Sequence, residues 1–212
     1  MVINFLGDSI TQGAGADCAE GKYTSYVCRN MGAKEINLGL SGTRIAKQTR
    51  RTNNPDDEVF MRRAVLIEKD ADFTFVFGGT NDFGHGDAPF GALGDCTDDT
   101  FYGAFDNLVA YLVGVLDKNK LCFILPLQRA DADNEYGDGT KEVPGKVLDA
   151  YIRAEVEVLQ KYGVEYLCLD EAFPKAEMYP GSKLTGDGLH PSPFGHKLLG
   201  DCLIAYLKKK GL

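Results

Sequence analysis

Three side chains in this sequence are of the types that can build an activated nucleophile. Ser9 lies in the segment GDSIT, and His190 follows Asp187 by three residues in the segment DGLHP. A serine hydroxyl becomes a good nucleophile when a neighbouring base takes its proton, and neutral histidine suits that task near pH 7. A carboxylate three residues before the histidine can accept its Nδ1 proton and leave Nε2 to face the serine. These residue types favour acyl transfer.

Acyl transfer also requires hydrogen-bond donors for the oxyanion of its tetrahedral intermediate. Gly42, in NLGLSGT, can offer its backbone N–H because glycine allows close approach, and Asn81, in GGTND, can offer a side-chain amide. The N–H of Ser9 itself, at the start of a predicted helical turn, is a third candidate donor. The sequence therefore contains a nucleophile, a base, an orienting acid and oxyanion donors.

Each of these segments has a simpler structural interpretation when it is taken alone. Ser9 can be a helix cap or a turn residue, Asn81 can belong to an ordinary turn, and Asp187 can cap a helix beside a surface histidine. Each segment, however, follows a predicted strand or precedes the last predicted helix. Their joint occurrence in this order favours one shared site.

The remaining candidates near this site are assigned supporting roles. Asp8 and His85 are candidate substrate-cleft residues; Asp187 already supplies the orienting acid, so Asp8 is expected to set the turn before Ser9. His85, four residues after Asn81, is expected to line the cleft without acting as the base. His196 falls inside the last predicted helix and is expected to be structural or to face solvent.

Short apolar runs alternate with longer amphipathic stretches along the chain, which is typical of βαβ units with a parallel sheet. We expect residues 1–212 to form one domain. The predicted strands are Val2 to Leu6, Glu35 to Leu38, Phe73 to Phe77, Leu121 to Leu125 and Val164 to Leu169. The predicted helices are Tyr23 to Met31, Glu58 to Lys69, Thr100 to Lys118, Pro144 to Tyr162 and Pro193 to Lys209.

Two polar, glycine-containing loops follow predicted strands. They are Phe83 to Asp99, after the third strand, and Gln128 to Val143, after the fourth. Open parallel sheets bind ligands at the carboxyl ends of their strands. We therefore expect these loops to flank the active cleft, although surface loops without a function would look the same.

The charge of the chain and the motifs that it lacks argue against several classes of partner and cofactor. The net charge of −8 argues against nucleic acid, which is bound through basic surface. No apolar run reaches the roughly 20 residues of a membrane span. The sequence shows no signal peptide, which suggests a cytoplasmic protein, although a secreted protein whose leader has been removed would have the same sequence features. The six cysteines show no CxxC pair, and nucleotide-binding and metal-binding motifs are absent. We expect no cofactor and no metal.

These motifs resemble those of the GDSL or SGNH hydrolases. GDSIT is similar to the family's first block, NLGLSGT to the second, GGTND to the third and DGLHP to the fifth, and Ile10 stands where the family's name implies leucine. The resemblance implies a flavodoxin-like three-layer α/β/α sandwich with a five-stranded parallel sheet. It also implies Ser9 as nucleophile, Gly42 and Asn81 as oxyanion donors, and Asp187 and His190 as the other triad members.

The sequence and the resemblance together predict a serine esterase that works through an acyl-enzyme without metal or organic cofactor. The polar loops favour a short-chain, acetyl-type ester of a carbohydrate or a similar small molecule as substrate. An acyl thioesterase or lysophospholipase is the alternative within the family. A carbohydrate-binding protein without turnover is the alternative of another class.

Overall fold

Five parallel strands form one sheet in the order β2-β1-β3-β4-β5, the order of flavodoxin-like folds. The computed structural model describes residues 1–50 and 59–212. The strands are β1 Val2–Gly7, β2 Lys34–Gly39, β3 Phe73–Phe77, β4 Leu121–Ile124 and β5 Glu165–Leu167. The α-helices in the described ranges are α1 Ser9–Gln12, α2 Tyr23–Met31, α3 Phe60–Ala64, α4 Thr80–Gly84, α5 Phe101–Val115, α6 Leu148–Tyr162 and α7 Pro193–Lys209.

Side chains alternate across the sheet and build one core on each face. Phe73, Phe75 and Phe77 of β3 pack on the face covered by α1, α2 and α7. Val76 of the same strand points to the opposite face, which α3, α5 and α6 cover. Because strands covered on both sides read as continuous apolar runs, the sequence located β3 with the correct ends. The α/β class and the three-layer parallel fold are confirmed.

Helix α3 is shorter than the sequence predicts. Of the predicted span Glu58 to Lys69, Glu58 lies outside the described residues, and the helix ends at Ala64. The buried side chain of Asn4 in β1 accepts from the N–H of Glu68 at 3.0 Å and donates to its carbonyl at 2.9 Å. These hydrogen bonds take the place of the i to i−4 hydrogen bonds that a longer helix would make at Glu68, so α3 ends before this residue.

Helix α6 also begins later than predicted, at Leu148 rather than Pro144. The N–H of Gly145 donates to Glu135 at 2.7 Å, and that of Leu148 donates to Ala132 at 3.0 Å. This stretch is therefore held against the preceding loop by backbone bonds that sequence periodicity does not report. Helix α7 has its predicted ends, with Ser192 as the cap. That residues 1–212 form a single domain stays a prediction.

In residues 1–50 and 59–212, no helix combines the length and apolarity needed to cross a membrane.

Arg63 crosses the edge of the sheet where β1 and β2 end. Its Nη1 donates to the carbonyl of Gly7 at 2.6 Å and to that of Leu38, and Nη2 donates to Thr43 Oγ1 at 2.7 Å. The guanidinium also lies 4.9 Å from the centroid of the Phe60 ring. Arg63 thus joins the turn after β1 to the loop after β2.

We expect Arg63→Met to lower the free energy of unfolding by about 3 kcal/mol, because buried carbonyls lose their charged donor while the aliphatic stem is kept. Urea unfolding monitored by circular dichroism measures this. The exposed neighbour Arg62→Met is the matched control and is expected to change stability by about 0.5 kcal/mol at most. Equal losses in the two variants would contradict the anchoring role.

Glu155 of α6 is a buried carboxyl group under the turn that precedes α4. Its side chain is 1% exposed, and Oε1 has no hydrogen-bond partner among the described residues. A Cβ placed on Gly79 would lie 2.1 Å from this oxygen, so the acid reaches directly under that turn. Burial, together with the charges of Asp82 and Asp8, raises the pKa of Glu155 well above its usual value.

A carboxyl whose pKa is higher in the folded than in the unfolded state contributes stability below its unfolded pKa and loses it as pH rises through the folded value. Glu155→Gln removes that loss. The free energy of unfolding of the variant, minus that of wild type, should therefore be more favourable at pH 8 than at pH 4. Urea unfolding at both pH values measures the difference. Glu157→Gln, on the exposed face of the same helix, is the control. An E155Q offset that is the same at both pH values would contradict the assignment.

Candidate active site

Ser9 is the first residue of α1, directly after the turn that ends β1. Asp8 caps this helix by accepting from the N–H of Ile10 at 3.0 Å. A Cβ on Gly7 would lie 1.9 Å from Thr11 Oγ1 and 2.8 Å from the carbonyl of Phe77, so only glycine fits there. The crowded turn places Ser9 at the carboxyl edge of the sheet.

The structure brings Ser9, His190 and Asp187 into one hydrogen-bonded chain. Ser9 Oγ lies 2.9 Å from His190 Nε2, and His190 Nδ1 lies 2.6 Å from Asp187 Oδ2. Because the carboxylate accepts at Nδ1, the neutral ring carries its proton there and turns the lone pair of Nε2 toward the serine hydroxyl. This arrangement can remove a proton from Ser9.

Asp187 is held by the loop around it. Its Oδ1 accepts from the N–H groups of Leu189 at 2.9 Å and His190 at 2.7 Å, and from Thr185 Oγ1 at 3.2 Å. Partial burial acts to raise the pKa of Asp187, but the hydrogen bonds from the His190 ring and from these amides outweigh it and lower the pKa to about 2. The carboxylate is therefore ionised throughout the neutral range.

Gly42 lies in the loop after β2 with a φ of 75°, a left-handed conformation that favours glycine. Its N–H donates no hydrogen bond to any residue of the described ranges, and the same holds for the N–H of Ser9. The described residues therefore leave both N–H groups without an acceptor.

Asn81 is in the first turn of α4, and its amide is already oriented by the neighbouring loop. Nδ2 donates to the carbonyl of Thr43 at 3.0 Å, which leaves the second N–H of that group for another acceptor. The adjacent Asp82 accepts from the N–H groups of Ile45 and Ala46, both at 2.9 Å. Burial raises the pKa of Asp82 to about 6, although these two amides act to lower it. Two consecutive side chains of α4 thus hold the loop that carries Gly42.

The two candidate cleft residues lie in different places. Asp8 is 1% exposed and sits beneath the turn as the cap of α1, not in the wall of a cleft. Burial raises its pKa to about 6, against the lowering effect of the hydrogen bond from the Ile10 N–H. The expected turn-setting role of Asp8 agrees with this position, because a cap must point back at the first helical amides.

His85 lines a cavity of about 940 Å³ beside the loop that carries Gly42. Ser9 is not part of this cavity's wall. His85, which is part of it, has its Nε2 3.2 Å from the carbonyl of Gly42. Segments 85–90 and 140–146 contribute to the lining, so both polar loops reach this cavity. That they flank the active cleft stays a prediction.

His196 is structural. It is fully buried, its Nδ1 accepts from the N–H of Tyr23 at 3.2 Å, and its Nε2 donates to the carbonyl of Ala14 at 2.9 Å. Burial lowers the pKa of His196, which keeps the ring neutral. In that form it can accept at one nitrogen and donate at the other.

Sequence reasoning missed two buried arginines that organise the site. Besides Arg63, Arg129 donates from Nη1 to the carbonyl and the hydroxyl of Thr80, both at 3.1 Å, and pairs with Asp131. Its guanidinium lies 5.2 Å from the centroid of the Phe83 ring. The available signal was an arginine inside an apolar stretch, FMRRAVLI and LPLQRA. Such residues are rarely buried unless they are paired.

No group of three or more His, Cys, Asp or Glu side chains in the described ranges could hold a metal ion.

Comparison with known proteins identifies the family. The model of the GDSL-like Lipase/Acylhydrolase family matches residues 5–198. The crystal structure of a protein from Lactobacillus plantarum is 30% identical, with a TM-score of 0.80 over 98% of this chain and 96% of that chain. The comparison with curated proteins finds no match.

Two more distant crystal structures share the fold. One is a lipase/acylhydrolase from Enterococcus faecalis, 22% identical, with a TM-score of 0.68 over 99% of this chain and 96% of that chain. The other is an acetyl xylan esterase, also 22% identical, with a TM-score of 0.66 over 98% and 100%. Since the family model spans almost the whole sequence, the chain belongs to the GDSL-like lipase/acylhydrolase family and is an ester-hydrolysing enzyme.

Proposed function

We propose that the protein is a serine esterase in which Ser9, His190 and Asp187 are catalytic. Ser9 Oγ attacks the carbonyl carbon of the ester while His190 Nε2 takes the hydroxyl proton. When the tetrahedral intermediate collapses, the imidazolium returns that proton to the leaving alcohol, and the acyl group stays on Oγ. A water molecule then attacks the acyl-enzyme, with His190 again as the base, and Ser9 regains its proton as the acid leaves.

One observation carries this proposal. The 2.9 Å contact from Ser9 to His190 continues through the 2.6 Å contact to Asp187, in a chain that belongs to a family of ester hydrolases. A nucleophile and base within hydrogen-bonding distance, with a third group that orients the base, is the geometry that covalent acyl transfer requires.

Three donors are proposed to bind the oxyanion. These are the N–H of Ser9, the N–H of Gly42 and the free N–H of Asn81 Nδ2. Preorganised donors of this kind stabilise the negative charge that develops on the carbonyl oxygen. In support, both backbone amides lack a partner in the described protein, and the Asn81 amide is oriented by Thr43.

The proposed substrate is a short-chain, acetyl-type ester of a carbohydrate or another small polar molecule. The cavity beside His85 carries hydroxyl, amide and charged groups, among them Gln48, Thr49, Asp87 and Lys141, as well as apolar groups. A wall of this kind can hydrogen-bond a hydroxyl-rich ligand. One structure with the same fold is an acetyl xylan esterase.

An acyl thioesterase or lysophospholipase is the second candidate, since Phe90, Val143 and Tyr151 give the same cavity an apolar portion. A carbohydrate-binding protein without turnover is disfavoured by membership in a family of ester hydrolases and by the complete Ser9, His190 and Asp187 chain.

We expect Ser9→Ala to lower the kcat for p-nitrophenyl acetate by at least about 10³, because no other hydroxyl replaces the nucleophile. The melting temperature should stay close to that of wild type. Ser25→Ala, on α2, is the control and should keep full activity. Wild-type turnover by S9A would refute the assignment. A fluorophosphonate probe should label wild type at Ser9, and failure to label it would favour the non-catalytic alternative.

A chain-length series of p-nitrophenyl esters tests the substrate class. We expect kcat/KM for the acetate to exceed that for the octanoate by about tenfold or more, because the cavity wall presents polar groups to a longer chain. A preference for acyl groups of eight or more carbons would contradict the acetyl-type substrate and favour the thioesterase or lysophospholipase.

A further inference from the structure

His85 touches the backbone of both segments that carry the proposed oxyanion donors. It follows α4 directly, and its N–H donates to the carbonyl of Asn81 at 3.0 Å. Its ring reaches across to the loop after β2, where Nε2 lies 3.2 Å from the carbonyl of Gly42. A carbonyl oxygen only accepts, so Nε2 is the donor in this contact.

The contact from His85 Nε2 restrains Gly42, which as a glycine has the greatest backbone freedom in that loop. Ser41, before Gly42, is held by Gln12 Oε1, which accepts from its N–H at 2.8 Å. Thr43, after Gly42, is held by Asn81 and Arg63. Gly42 lies between them in a left-handed conformation, and the bond from His85 is the one hydrogen bond to its own backbone groups that the described residues make.

A hydrogen bond to the Gly42 carbonyl limits rotation about both backbone bonds of this glycine. It therefore limits the direction in which the Gly42 N–H points. Oxyanion stabilisation depends on donors that are aimed before the charge develops, so a loosely held glycine would lose part of that effect.

Burial favours the neutral form of the His85 ring. Asp138 Oδ2 lies 3.4 Å from Nδ1, while Arg44 and Arg129 lie on other elements near the ring. Burial lowers the pKa of His85, and the two arginines add to this, although the Gly42 carbonyl and Asp138 act to raise it. We place the single proton of the neutral ring on Nε2, because the Gly42 carbonyl lies 3.2 Å from Nε2 and Asp138 Oδ2 lies 3.4 Å from Nδ1.

We propose that His85 is a positioning residue of the oxyanion hole, in which Nε2–H holds the Gly42 carbonyl and thereby aims the Gly42 N–H. This inference rests on the proposed esterase function. His85 takes no proton from the substrate and touches no reacting atom. Its effect through the Gly42 N–H is on the transition state, so kcat should change by a larger factor than KM.

The test compares His85→Gln with His85→Asn. Both side chains are neutral amides, but only glutamine is long enough to place an N–H where Nε2 of the histidine lies. We expect H85N to lower the kcat for p-nitrophenyl acetate by about 5-fold to 50-fold, with KM within twofold of wild type. This range lies below the loss of about 10² to 10³ for complete removal of an oxyanion donor. H85Q is expected to keep at least half of the wild-type kcat.

Melting temperatures within a few degrees of wild type establish that both variants are folded. A kcat for H85N within twofold of wild type would overturn the inference, and so would an H85Q as slow as H85N. The Ser9→Ala variant separates this failure from failure of the proposed function. If S9A is inactive while both His85 variants match wild type, the positioning role alone is wrong; if S9A turns over, the esterase mechanism itself is wrong.

Discussion

Buried backbone groups must find partners where the parallel strands end, and this need shapes the whole site. The chain turns sharply at this edge while it is still inside the protein, where water cannot serve as the partner. Arg63 donates to the ends of β1 and β2 and to Thr43, and Asp82 accepts from two amides of the following loop. Both charged groups are costly to bury, and they are kept because each satisfies several backbone or side-chain groups at once. The loop that presents Gly42 is thus fixed from two sides.

The contact between Ser9 and His190 joins residues that are 181 positions apart in the sequence. Helix α7 packs on α2, and its buried His196 binds both Tyr23 and Ala14 on either side of the segment after α1. The loop before α7 is held by a bond from the N–H of Ala130 to the carbonyl of Gly188 at 2.8 Å. His190 therefore reaches Ser9 with its ring oriented by Asp187.

Much of the fold could be predicted because its signals are local. Runs such as FTFVF in β3 are mainly apolar because neither face of the strand is exposed to solvent. The cap of α7, Ser192, stands directly before the helix in the sequence. The errors in α3 and α6 lie where a distant group competes for backbone hydrogen bonds. Asn4 binds the backbone of Glu68 beyond the end of α3, and the carbonyl of Ala132 accepts from the N–H of Leu148, the first residue of α6. No window along the chain contains both partners of such bonds.

The sequence by itself determined the chemical groups of the site, because hydroxyl, imidazole, carboxylate and amide are fixed by residue type and stand in recognisable motifs. It also placed Ser9, Gly42 and Asn81 after the carboxyl ends of β1, β2 and β3, which lie along one edge of a parallel sheet. Only the tertiary structure decided which groups hold them. In the sequence, Arg63 and Arg129 only interrupt apolar stretches, and His85 is interpreted as a cleft residue. Each of them binds backbone or side-chain groups far away in the chain. The physical reason is that burial and hydrogen-bond partners are properties of the packed state, in which a charge is stable only where several acceptors converge.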